Sequence, residues 1–275
     1  MLVLGAATMH AVWNAVVKFD GDKLLTLSVV IGTSGLLAPI LLFFGSSPSI
    51  ESWPYIIGSI LFNNLYFFFL IEAYKYGDLS HAYPIARGSA PLMVAIGAMI
   101  FAGESLGIVE FIGIFLVSCG IIILTLAGGR QTGWRSIVFP LLTGLMIATY
   151  TVIDGIGVRL SGSPIAYIGW LFILSPLPLL FFAIKKRGMK VVVFVRARWR
   201  RGVLAGVFNL AAYGLAIWAL TIGNMAHVSA LRETSVIIAA FIGSRILGES
   251  FGHVRILSAI IVFIGVVTIN LSAAY

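Results

Sequence analysis

The stretch GVLAGVFNLAAYGLAIWALTIGNMAHVSAL, residues 202–231, runs for thirty residues without a charged side chain. Arg200-Arg201 closes it on one side and Arg232-Glu233 on the other. A hydrocarbon core about 30 Å thick takes about 20 apolar residues of helix to cross. The stretch therefore holds one full crossing, 202–221, and the start of a second after the Gly223-Asn224 break. Outward from it, charge-free runs recur at 1–17, 24–50, 52–71, 88–103, 111–129, 136–153, 160–184 and 256–275. Only 28 of the 275 residues are charged (18 basic plus 10 acidic) and 60% are apolar, against about 25% charged in a soluble domain. So few charges cannot cover a water-facing surface, and the chain reads as an all-α membrane protein.

Turn-forming breaks divide the chain into ten expected spans, at 2–18, 24–44, 54–74, 81–102, 106–127, 136–158, 164–184, 202–221, 225–246 and 254–273. Short connections make successive spans antiparallel neighbours, apart from a long basic loop, 185–201. The order of residues also repeats. Placing Arg87 on Arg232, a shift of 145, brings Gly103-Glu104-Ser105 onto Gly248-Glu249-Ser250 and Gly120 onto Gly265. One residue of slack pairs His81 with His227, and a shift of 137 pairs Met9, Ala11 and Trp13 with Met146, Ala148 and Tyr150. The expected architecture is ten transmembrane helices in two five-helix repeats, 1–127 and 128–275, around a central cavity. An odd span count makes the second repeat inverted, the arrangement alternating-access transporters use.

Charge placement sets the orientation and excludes one partner class. The net charge of +8 resides in Lys185 to Arg201, beside the membrane, so it does not indicate a nucleic-acid partner. Loops after odd-numbered spans hold almost all Lys and Arg, whereas those after even-numbered spans hold Arg159. The basic loop is thus expected in the cytoplasm and both termini outside. Residues 1–17 lack the basic leader of a signal peptide. Cys119 sits alone in an apolar run as a packing residue.

Polar groups inside spans are the functional candidates, because hydrocarbon penalises them. Arg87 lies about seven residues into span four and Arg232 about seven into span nine, so the oppositely running helices would place them near opposite mouths of one path. Asp154 in span six is expected to pair with Arg232, or to form a triad with Glu233, and such a pair either locks helices or carries protons. Arg87 has a weaker case for a nearby acid, and binds backbone carbonyls, snorkels to the interface or attracts a substrate carboxylate. Its flanking Pro84 and Pro91 bend a cavity-lining helix. His10, Trp13 and Asn14 share a face of span one. Asn63, Asn64 and Tyr66 in span three, with Asn209, Tyr213 and Trp218 in span eight, either line the cavity, glue helices or belong to the interfacial belt. His81, Tyr83 and His227 sit at the starts of spans four and nine, with His227 also a candidate proton carrier. Glu104 and Glu249 are expected to cap the helix that follows each. Gly202 and Gly206 serve internal packing or dimerisation.

No HExxH, Walker loop or Cys/His cluster is present, so no catalytic residue, metal or cofactor is assigned. Asp154-Gly155-Ile156-Gly157 resembles an intramembrane aspartyl-protease motif, which needs a second aspartate at depth. Without an ATP-binding loop, transport must run downhill or couple to an ion gradient, with protons a candidate.

Three stretches resemble the EamA-like branch of the drug/metabolite transporter superfamily. They are His10 to Lys18, Gly77-Asp78-Leu79-Ser80 running into Tyr83 to Gly88, and Ala230 to Ser235. The resemblance implies ten helices in inverted repeats, a cavity lined by spans 1, 3, 4, 6, 8 and 9, and export of small metabolites. His10, Trp13, Asn14, Tyr83, Arg87, Tyr150, Asp154, Arg232 and Glu233 fall on its cavity-helix motifs. The leading expectation is an inner-membrane exporter of aromatic or other large neutral amino acids. The alternatives are cationic drugs, which require a free carboxylate, phosphorylated or nucleotide-linked sugars, which require a free Arg87, and, more remotely, an intramembrane enzyme.

Overall fold

The computed structural model describes residues 2–18, 23–76, 79–127, 133–238 and 253–272. Among them the elements are helices: α1 (Leu2–Lys18), α2 (Lys23–Leu37), α3 (Pro39–Leu42), α4 (Trp53–Tyr76), α5 (Leu79–Phe101), α6 (Ile108–Ile123), α7 (Arg135–Leu160), α8 (Pro164–Leu174), α9 (Pro176–Arg187), α10 (Lys190–Ile222), α11 (Met225–Arg232) and α12 (His253–Ser272). Seven of the spans they form are long and apolar enough to cross a membrane, and Leu2–Trp13 and Ile108–Ile123 are shorter apolar helices. Many large apolar side chains face outward, Phe43 being 87% exposed and Phe263 68%, while Asp154 and Glu233 are fully buried. That inversion of the soluble pattern suits a lipid surround.

Prolines and glycines place the breaks. Pro39 and Pro176 each stand in the first turn of a new helix, so spans two and seven are both bent where a backbone donor is missing. Gly103 ends α5 at φ 66° and Gly188 ends α9 at φ 53°, a left-handed conformation that glycine adopts without a Cβ penalty.

Two expectations about breaks are corrected. The basic segment 185–201 is not a loop. Helix α9 continues through Arg187, α10 begins at Lys190, and a kink with φ −126° at Arg198 separates the basic turns from the crossing. Lys and Arg are good helix formers whose long stems reach water, so charge marks the membrane boundary rather than the helix end. Glu104 does not cap α6. Its Oε2 accepts from the Met225 N–H, 2.9 Å away, at the start of α11. The start of α6 is served by Glu110, whose Oε2 accepts from Gly107 N–H at 2.7 Å. Glu249 lies outside the described residues.

The chain forms two compact units, Met1–Ile60 with Asp154–Thr221, and Leu61–Ile153 with Ile222–Tyr275. In the first, a Cβ on Gly35 would lie 2.5 Å from Pro176, and one on Gly169 2.7 Å from Leu42. The bent spans α2–α3 and α8–α9 therefore run antiparallel in direct backbone proximity. Gly206 packs on Thr33 and Val30 and Gly202 on Val29, so these small residues serve contacts inside the unit.

In the second unit α6 and α12 pair antiparallel. A Cβ on Gly265 would stand 2.7 Å from the Gly113 carbonyl oxygen, and further along, Ser258 Oγ donates to the Gly120 carbonyl at 2.5 Å. The shift of 145 carries Gly113 to Ser258 and Gly120 to Gly265. Each of these two contacts is thus the other with the helices exchanged, the self-complementary pattern a twofold axis produces.

Candidate functional site

The buried charges of the second unit gather on one carboxylate. Arg87 Nε lies 2.5 Å from Glu233 Oε2, and Arg232 Nε lies 3.8 Å from Glu233 Oε1. Arg87 and Arg232 retain 3% and 6% exposure and Glu233 none. Arg87 Nη2 also approaches Ser235 Oγ at 3.4 Å, and its guanidinium sits 5.9 Å from the Tyr83 ring centroid. The backbone turns at Glu233, whose N–H reaches the carbonyls of both Ser229 and Ala230 at 3.2 Å. The carboxylate thereby stands at an interruption of the span rather than on a regular helix.

Two expectations change here. Arg87 has a close acid, Glu233, and the two arginines meet instead of occupying opposite mouths. At about 1.5 Å per residue, Arg87 is roughly 12 Å along α5 and Arg232 roughly 10 Å along α11. The sum leaves roughly 8 Å of a 30 Å core, which two arginine side chains span. The two residues expected as a pair, Asp154 and Arg232, belong to different units and are described each within its own. Arg232 has Glu233 as its ion-pair partner, and Asp154 accepts hydrogen bonds from Tyr167 at 3.0 Å and Tyr213 at 2.5 Å within the first unit.

Tyr167 gets room from Gly157, where a Cβ would fall 2.7 Å from the phenol oxygen. Phe172 lies edge-on to Tyr213 with centroids 5.6 Å apart. Two phenol donors hydrogen-bond the Asp154 carboxylate. Tyr213→Phe removes one donor and is expected to cost about 1–3 kcal/mol, read as a lowered melting temperature. Tyr167→Phe should act in the same direction, and an unchanged melt in both would contradict this role for the phenols.

The remaining candidates divide into pairs. His10 Nδ1 accepts from Trp13 Nε1 at 3.2 Å, the rings being perpendicular; the Asn14 side chain lies outside the described residues. Tyr66 and Tyr150 lie edge-to-face at 6.2 Å in the second unit, and Asn63 and Asn64 are half-buried on the same helix, α4, as Tyr66. Asn209 donates to Ser34 Oγ at 3.0 Å, and Ser34 donates on to the Gly206 carbonyl at 2.9 Å, so Asn209 joins α10 to α2. Trp218 is 38% exposed and faces outward, as an interfacial aromatic does. His227 Nε2 is 3.2 Å from Glu110, and His81 Nε2 is buried without a hydrogen-bond partner among the described residues. Tyr167 and Ser235 complete these groups and escape a reading by charge, and Glu110, a charge at the start of a span, joins them through His227. A lone phenol inside the charge-free run 160–184 needs a polar partner, which is the signal that points to Tyr167.

Among the described residues no three His, Cys, Asp or Glu side chains are grouped to hold a metal ion. In the second unit, the buried ionisable groups stand beside the Tyr83 ring.

A solved crystal structure superimposes with a TM-score of 0.77 over 98% of both chains at 16% identity, a likeness of fold. The WAT1-related protein At3g02690, chloroplastic, of Arabidopsis thaliana is 24% identical over 192 residues, 66% of this chain. The chain spans about half that relative's length, 46%. The profile of the EamA-like transporter family matches twice, at residues 1–126 and again at 134–271. With nearly the whole length matched in tandem and an all-helical, multi-span architecture to go with it, the chain belongs to the EamA-like transporter family.

Proposed function

We propose that the protein is a secondary transporter that exports small metabolites, above all aromatic and other large neutral amino acids, by alternating access between inverted repeats 1–127 and 128–275. The observation that carries this reading is the exchange of contacts between α6 and α12, Gly113 with Gly265 and Ser258 with Gly120. An antiparallel pair related in this way supports a twofold axis in the membrane plane, on which rocking of the halves depends. The tandem family matches, 1–126 and 134–271, support the same division. Residues His10, Trp13, Asn63, Asn64, Tyr66, Tyr83, Tyr150 and Tyr213 are proposed to contact solute during the cycle. Protons are the proposed coupling ion, with His227–Glu110 and the Glu233 cluster as carriers. The membrane is proposed to be the cell's inner membrane, with the basic turns of α9 and α10 on the cytoplasmic side.

A cationic substrate is disfavoured because both buried carboxylates already have donors, Glu233 from the arginines and Asp154 from the phenols. The test is flux of radiolabelled tryptophan, phenylalanine and leucine in proteoliposomes, with and without a pH gradient. Saturable flux of at least one is expected. No flux of any amino acid under either condition would refute the reading.

A further inference from the structure

Helix α10 is longer than a crossing requires. Its 33 residues, Lys190–Ile222, rise about 50 Å at about 1.5 Å per residue, against a core about 30 Å thick. The charge-free part, 202–222, fills that core by itself. The turns from Lys190 to Arg201, which include the kink at Arg198, therefore extend past it. Val191 there is buried, and Phe194 and Arg198, three and seven residues on, are half-buried, so one edge rests on the protein. Away from that edge Val192, Val193 and Val195 are exposed, Val193 at 65%, and Trp199 is exposed at 54%. Lys190, Arg196, Arg200 and Arg201 stand exposed among them.

The charge is one-sided. Lys185 to Arg201 holds eight cations, and the sequence has no acid between Asp154 and Glu233. Asp20 and Asp22, the acids before the neighbouring α2, are matched in number by Lys18 and Lys23. Two of the cations lie along exposed rings, Lys186 Nζ 5.5 Å from the Phe182 centroid and the Arg200 guanidinium 5.5 Å from that of Trp199. Water alone would leave the valines and Trp199 unburied, and hydrocarbon alone would strip the cations of solvent. The headgroup boundary serves both, with apolar side chains among the upper acyl carbons and cations at the phosphates. Nucleic acid would match the charge and offer the valines nothing apolar.

We propose that the kinked segment Lys185 to Arg201 is a lipid-recognition surface whose partner is the headgroup of an anionic phospholipid, such as phosphatidylglycerol, in the leaflet it meets. This goes beyond the transport reading and does not depend on it.

The test places the full chain in phosphatidylcholine nanodiscs with a minor fraction of lipid brominated high on its acyl chains. The bromine rides on phosphatidylglycerol in one preparation and on phosphatidylcholine in the other. The readout is quenching of Trp199 fluorescence, taken as the difference between the wild type and Trp199→Phe. Quenching is expected to be at least about threefold stronger with the bromine on the anionic lipid, since each cation near the surface favours that lipid roughly fivefold. Raised salt should shrink the difference, and Arg196→Gln/Arg200→Gln/Arg201→Gln should abolish it. Equal quenching by the two lipids, or none by either, overturns the proposal, and this comparison stands even if the triple variant does not fold. Glycerol phosphate or a short single-stranded RNA added in solution should leave the quenching unchanged. Relief by the first would assign the surface to soluble phosphates and relief by the second to nucleic acid, and either would overturn the lipid assignment.

Discussion

Glu233→Gln is expected to destabilise the protein by about 3–5 kcal/mol, the penalty for removing one partner from a buried ion pair, and to abolish transport. The carboxylate is the shared neutralising group of Arg87 and Arg232, and it has no exposure of its own. Its loss leaves two buried guanidiniums without their shared carboxylate, where neither can recruit bulk water. Thermal melting in detergent should show the change as a large downward shift. The double variant Arg87→Met/Glu233→Gln provides the control. It restores the original net charge of the cluster and should recover most of the lost stability, since replacing a whole buried pair is often neutral. A single variant that melts like the wild type would remove the cluster from the account of the fold.

Gly265→Val is expected to be the most damaging change of packing. Its Cβ would meet the Gly113 carbonyl oxygen at 2.7 Å and the Val117 nitrogen at 2.9 Å, both main-chain atoms of α6. Backbone inside a helix cannot give way as a side chain end does, so α6 and α12 must separate. Overpacking of this kind costs about 1–3 kcal/mol or more, and separation also endangers the Ser258–Gly120 hydrogen bond, worth about another 1 kcal/mol. Gly5→Ala in α1 is the counterpart, because a Cβ there meets nothing within 4 Å. It should leave the melt unchanged or raise it, alanine being the better helix former by about 1 kcal/mol. Equal effects of the two substitutions would mean that the close approach of α6 and α12 is not what holds them.

Over the described residues, which stop at 238 within the expected span 225–246, span positions were legible in the sequence because hydrocarbon imposes a simple rule: long runs without charge, separated by Gly, Pro and acidic turns. The repeat offset was legible for the same reason, since glycines at helix contacts cannot drift freely. The rule fails where charge and helix coexist. Lys185 to Arg201 reads as loop by composition yet is helical up to Gly188 and again from Lys190. In the candidate site, the residue types were legible but the partnerships were not. Arg87, Asp154, Arg232 and Glu233 stand out as charges in apolar spans, whereas their pairing depends on how far each side chain reaches across between antiparallel helices. Glu233 and Asp154 are alike as letters, and only the neighbours, arginines for one and phenols for the other, separate their chemistry. Glu104 shows the same limit, since its position in the chain suggests the next helix and its carboxylate serves a different one.

Counterflow is the most direct measurement of the central claim that this chain is a carrier with one solute site exposed to each side in turn. Proteoliposomes preloaded with millimolar unlabelled phenylalanine would be diluted into a trace of labelled phenylalanine. The account predicts a transient internal excess of label above equilibrium, abolished in Glu233→Gln. Uptake that only rises monotonically to equilibrium, with no overshoot at any preload, would contradict it.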